Sequence, residues 1–269
     1  MKNSILLLSV CITSMGLGGL VMAKWNSPVA GHEQPLCDTP APVAPRPWRP
    51  IGPLMPVEPV YDLSSRFMMT VTKERLANAR SIADLQLDAE IVPLVSYYSM
   101  RVSVLDGQME DTLNADGNSS AFNDAQLGLL RTVGYSKNIL ITADYQHLNS
   151  ATGKLEFRQC TPYVTIVPEK AAEYEYGKAA LVAYVKENAR ELALGLEADR
   201  LQGGRVTFTV TREGRLANVK LSSSSAHPDY DQRVLQLVTT LPGRWTPATD
   251  AQGLPVEQEL VFFFGTMGC

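Results

Sequence analysis

The chain has 269 residues, enough for one large domain or two small ones with a real core. Lys and Arg number 24 against 28 Asp and Glu, a formal net charge of −4. The cations are scattered and form no stripe, which excludes nucleic acid as a partner. A hydrophobic content of 45% is ordinary for a globular body.

The first stretch is unlike the rest. Lys2 gives a short positive start, and Ile5 to Ala23 then runs without a charge until Lys24. Val21 and Ala23 suit the −3 and −1 positions of a signal-peptidase site, so residues 1–23 read as a secretory signal peptide. Two alternatives stay open: an uncleaved membrane anchor over the same residues, or acylation at Cys11 in a lipoprotein signal. All three export the remainder of the chain. An exported chain can form disulfides, and Cys37, Cys160 and Cys269 survive cleavage. Cys37 lies in an extended stretch, so the candidate bridge joins Cys160 to Cys269; the alternative leaves the three thiols free.

Residues 24–62 hold more than half of the 17 prolines and read as an extended spacer without a core of its own. A β-rich middle domain comes next, over 63–169. Thr72 caps a helix that carries Leu76, Ala79, Ile82 and Ala83 at helical spacing. "MRVSVLDG" alternates as a strand. "NDAQLGLLRTVG" reads as a helix capped by Asn123 and closed by Gly134. "NILITADYQHL" and "KLEFRQCTPYVTIVP" are strands joined by a turn over 149–153.

The last unit, 170–269, begins with a helix whose stripe is Leu181, Val182, Val185 and Leu192. "GGRVTFTVTREGRLANVKLSSSS" is a hairpin: Val206, Phe208 and Val210 share one face, and Gly214 supplies the turn. "HPDYDQRVLQLVTTL" is a helix with Pro228 in its first turn, Asp229 and Asp231 at the positive end of its dipole, and Val234, Leu237, Val238 and Leu241 inward. "LPVEQELVFFFG" is a final strand. The fold class is therefore α+β: a small antiparallel sheet with two helices, preceded by a second β-rich α+β domain.

This ordered series resembles the C-terminal domain of TonB-family energy transducers, over roughly the last hundred residues. The matching positions are Gly204 to Val210, Gly214, Ser222 to Ser225 and Tyr230-Asp231, then Pro242, Trp245, Pro247, Ala248, Gly253, Pro255 and Val256. Ala180-Leu181, Tyr184 and Asn188 keep the spacing of the lead-in found in one branch of the family. The middle unit is similar, in "AQLGLLRTVGYSKNILITADY", to β-rich domains of the gliding and secretion protein GldM. Two family features are missing: a Tyr-Pro before the hairpin, and a histidine in the anchor segment of transducers that couple to the ExbB–ExbD motor.

The chemistry of catalysis is thin. His32, His147 and His227 read as surface or capping residues. Ser225, His227 and Asp229 lie in one run, whereas triads converge in space, and no GxSxG elbow occurs. "DLQLDAE" and "MEDTLNADGN" lack calcium-loop spacing and read as solvated loops. No enzyme, cofactor or metal is expected.

Binding is left. An open sheet border presents unpaired N–H and C=O groups that an extended peptide can satisfy. The resemblance implies that this border is Glu257, Gln258, Glu259, Leu260, Val261, Phe262, Phe263 and Phe264, and that Gly204, Gly214, Asp231, Pro242, Trp245, Pro247, Ala248, Gly253 and Pro255 build the domain. It also implies a periplasmic protein of a Gram-negative-type envelope whose partner is an outer-membrane receptor or another envelope protein, joined by a motor of the ExbB–ExbD type if residues 5–23 stay as an anchor. An assembly module without energy coupling is the alternative. An exposed strand edge could also serve a second copy, giving a homodimer. The intact mass of the exported protein tests the first step: a chain beginning at Lys24 is expected, and retention of Met1 to Ala23 would indicate a membrane-anchored transducer.

Overall fold

The computed structural model describes residues 58–87, 94–197 and 199–266. The signal or anchor segment, Cys11, His32, Cys37, most of the spacer and Cys269 lie outside them, and with Cys269 the candidate bridge to Cys160.

Strand β1 (Val60–Ser64) is followed by β2 (Met69–Thr72) and helix α1 (Lys73–Asn78). Thr72 caps α1, its hydroxyl accepting from Arg75 N–H at 3.3 Å. The helical spacing extends beyond Asn78, but the helix does not. Asp84 accepts from the Arg80 and Ser81 N–H groups at 2.8 Å each, which starts a separate 3-10 turn over Ile82–Leu85 and leaves Ala83 exposed.

Long strand β3 (Leu94–Leu105) is joined to β4 (Asp111–Gly117). The second element corrects the expectation of a solvated loop at "MEDTLNADGN". Its side chains are almost all exposed, so no alternation of apolar residues announces it, and it exists because β3 offers a backbone border. Helix α2 (Asp124–Thr132) has a reciprocal capping box between Asn123 and Gln126. It closes at Val133 with φ −68°, so Gly134 is not its left-handed cap.

Strand β5 (Asn138–Leu148) is the hub of the middle sheet. It pairs with β3 on one border; on the other it pairs with β6 (Leu155–Cys160) along one half and β7 (Tyr163–Val167) along the other. The predicted single strand over 154–168 is divided at Thr161-Pro162, where the chain steps from one half of β5 to the other. The sheet order is β2-β7-β5-β3-β4 with β6 beside β5, and β2–β7 is its parallel pair. Leu76, Met100, Val102, Leu130, Ile139 and Ile166 centre its core.

The terminal unit comprises β8 (Glu173–Tyr174), α3 (Gly177–Asn188), α4 (Arg190–Ala193), β9 (Gly203–Val210), β10 (Leu216–Ser223), α5 (Pro228–Thr239), β11 (Trp245–Thr246), β12 (Ala248–Thr249), β13 (Pro255–Val256) and β14 (Gln258–Gly265). The large sheet has the order β1-β14-β9-β10, antiparallel throughout. One face packs on α3 and α5: Leu181, Val185, Val234 and Leu237 meet Phe208 and Phe262 in one core. Leu192, predicted inward, is exposed because the helix breaks at Ala189. The whole is mixed α+β.

Two of the motif glycines are explained by close approach. A Cβ on Gly204 would stand 2.3 Å from the Phe264 ring, and one on Gly214, at φ +72°, would stand 2.2 Å from the Trp245 carbonyl oxygen. Gly214→Ala therefore combines left-handed strain with a backbone clash and should destabilise by at least about 2 kcal/mol, read as a lowered urea midpoint at unchanged slope.

Candidate docking edge

Strand β14 is not a border. On one side it pairs with β9 from Gln258↔Val210 to Gly265↔Gly203; on the other, Val261 to Gly265 pair with Ser64 to Val60 of β1. The uncovered end is closed differently: Glu259 N–H donates to Ser136 Oγ of the middle domain at 2.8 Å. Glu257 lies in the link between β13 and β14. Gln258 is buried, its side-chain oxygen accepting from Ala172 N–H at 2.7 Å. Leu260, Phe262 and Phe264 face the helices, while Phe263 lies on the opposite face under the Arg205 guanidinium, 5.7 Å from its ring centre. The expectation of an open border over Glu257 to Phe264 is thus corrected. The last residues of the proline-rich spacer occupy it, so 60–62 and 63–64 belong to the terminal sheet instead of the spacer and the middle domain.

The hold on β1 is slender. Leu63 is its one buried side chain. Tyr230 donates to the Tyr61 hydroxyl at 2.6 Å. Lys178 meets Asp62 at 2.6 Å and Lys186 meets Glu58 at 2.5 Å, both at the surface. Lys186 holds the Glu58 carboxyl below its ordinary range. Burial raises the Tyr61 and Tyr230 hydroxyls above theirs, and the bond donated to Tyr61 raises Tyr230 further.

The remaining motif residues are structural. Asp231 is buried and accepts from Ser225 N–H at 2.9 Å, from Ser225 Oγ at 2.6 Å and from Ser224 Oγ at 2.5 Å. The serine pair that follows β10, Ser224 and Ser225, is therefore fastened to the first turn of α5. Nearby, His227 Nε2 is buried and has no hydrogen-bond partner among the described residues. Trp245 packs at a tilt against Tyr174 and edge-on against Phe208, with ring centres 5.4 and 5.6 Å away. Tyr174 donates to the Pro242 carbonyl. Ala248 is fully buried, and β12 pairs with β13 through Thr249↔Pro255, closed by a turn with Gly253 at φ +77°. Pro247 adjoins Gly214.

His147 departs from its surface reading: it is buried, and its Nε2 accepts from Arg158 Nε at 3.1 Å, beside Glu156. A cleft of about 350 Å³ between the outer face of the terminal sheet and the β3–β4 turn holds Arg66, Arg205 and Lys220 against Glu259. Among the described residues no three His, Cys, Asp or Glu side chains are grouped to hold a metal, and no helix is long and apolar enough to cross a membrane.

Compared with known protein families, characterised proteins and solved structures, the chain matches none.

Tyr230→Phe removes the donor to Tyr61 and should lower stability by about 1 kcal/mol. Because burial raises both hydroxyls, their share of stability is complete below the unfolded tyrosine value of about 10 and is lost as pH rises above it. Denaturant titrations at increasing alkalinity should show that decline in the parent and a shallower one in Tyr230→Phe.

Proposed function

We propose that this chain is an exported, non-catalytic envelope protein whose terminal domain, TonB-like in its motif order, docks a partner by strand exchange on β14. One observation carries the reading: the border of β14 is hydrogen-bonded to five residues from outside the helix–strand–strand–helix–strand unit. That is the geometry strand addition requires, here satisfied within the chain.

Magnitudes favour exchange over permanent closure. Leu63 contributes about 2 kcal/mol by burial and the tyrosine bond about 1. An incoming extended segment replaces the backbone bonds of β1 one for one and can refill the Leu63 site, so the difference it must overcome is small. The partner is an outer-membrane receptor, transporter or other envelope protein. If residues 5–23 stay in the membrane, a motor of the ExbB–ExbD type would act through the spacer directly on β1, because Val60 begins that strand.

The alternative, an assembly module without energy coupling, is favoured by the same closed border if β1 never leaves. A lock decides between them. Asp62 and Phe263 are direct partners across β1 and β14, at a spacing a disulfide can bridge. In Asp62→Cys/Phe263→Cys, carried with Cys37→Ser, Cys160→Ser and Cys269→Ser so that the engineered pair holds the mature chain's two thiols, oxidation should abolish capture of the envelope partner and reduction should restore it. Capture that is equal in both states would exclude exchange at β14.

A further inference from the structure

Exposed strand borders pair with whatever extended chain they meet, and most of those among the described residues carry a protection against it. The border of β10 is broken by two register shifts, with Asn218 at φ 53°. Asp111, Asn114 and Asp116 line β4, and β2 has four residues.

Strand β6 is neither bulged nor repulsive, its two charges, on Glu156 and Arg158, being opposite in sign. Its six residues pair with β5 without a shift, from Leu148↔Leu155 to Ala143↔Cys160, and its outer border meets no strand among the described residues. It carries no proline and no lysine. Leu155 and Phe157 are 53% and 62% exposed on one face. Tyr98, also exposed, stands with its ring centre 5.8 Å from that of Phe157, and Leu148 lies opposite Leu155, so the apolar surface runs across three strands.

The charges on the strand select the occupant. On the other face of β6, Glu156 and Arg158 flank Phe157, their charged ends 2.8 Å apart. A copy of the same strand, laid antiparallel with Phe157 opposite Phe157, brings Glu156 against Arg158 of the second copy and Arg158 against its Glu156. The sequence Glu-Phe-Arg is complementary to itself under that two-fold rotation, as an isologous contact requires. We propose that β6 is a self-association border, through which two copies join their middle sheets about an axis at Phe157. The proposal does not depend on what β14 binds. A border of six residues is small for an interface, so the dimer is reversible and concentration-dependent.

Sedimentation velocity of the purified full chain over a concentration series tests it. The parent should pass from monomer to dimer. Arg158→Glu places like charges opposite one another twice and should weaken association about tenfold. Glu156→Arg/Arg158→Glu restores opposite pairs and should recover the parent dimer, and Phe157→Glu should abolish it. Should Phe157→Glu prove misfolded by circular dichroism, Leu155→Lys, at an exposed side chain of the same apolar face, takes its place and should likewise abolish the dimer, because Glu156 and Arg158 both also contact the buried His147. A parent that stays monomeric to its solubility limit would overturn the proposal. So would a dimer indifferent to these substitutions.

Discussion

The hydrogen-bonded border between β1 and β14 links every level of this molecule. Strand β14 supplies Phe262 and Phe264 to the core beneath α3 and α5, and Phe264 lies on Gly204, which fixes how closely β9 can approach. Both of its borders must be satisfied, because N–H and C=O groups left bare beside a packed core are expensive. On one side β9 does this along the whole length; on the other β1 and a single serine of the middle domain share the task. From β1 the chain passes within four residues into β2, so the strand that completes one sheet also leads into the other. The Phe67 N–H bond to Thr165 Oγ1, itself bonded to Asn138, fastens that passage to the middle sheet.

What was legible in the sequence was what local chemistry decides. Thr72, Asn123 and Pro228 mark helix starts because a cap or a fixed φ acts within one turn, and Val206, Phe208 and Val210 mark a strand because one face of it is buried. The motif glycines were visible as positions but not as causes, since the Phe264 ring and the Trp245 carbonyl come from distant parts of the chain. The elements that were missed share one property: their partners, not their own residues, make them strands. In β4 nearly every side chain is exposed, and in β1 Tyr61 finds Tyr230 across 169 residues and Leu63 finds Phe262 farther still along the chain. The candidate border suffered for the same reason. The register of Glu257 to Phe264 could be read, but the strand lying beside it could not, because "VYDLS" comes after a proline run and alternates over too few residues to stand out.

A covered border and a docking border are not contradictory descriptions. An open edge would pair indiscriminately, and natural sheets cover such edges or break them. Here the cover is itself a strand, so it hides the border while preserving the geometry that a partner strand would use. The contacts that hold β1 in place are of two kinds. The tyrosine pair and Leu63 are inside, whereas Asp62 and Glu58 make their contacts at the surface, where exposed ion pairs add little and are screened by salt.

The two ends of β1 differ in what tethers them, and that asymmetry sets the order in which it would leave. Its first residue adjoins the spacer and pairs with Gly265, which a left-handed φ of +91° sets at the end of β14. Its last residue pairs with Val261 inside the sheet and continues into the connection to β2. A pull at the Val60 end directed across the strand parts the pairs in sequence, whereas a force along the strand axis would have to shear all of them together. Separation pair by pair meets only one residue's bonds at a time. A strand attached in this sense is therefore easier to peel from the spacer side than to dislodge from within, and the Tyr61–Tyr230 bond, one residue from that end, is the first buried contact that such a pull must break.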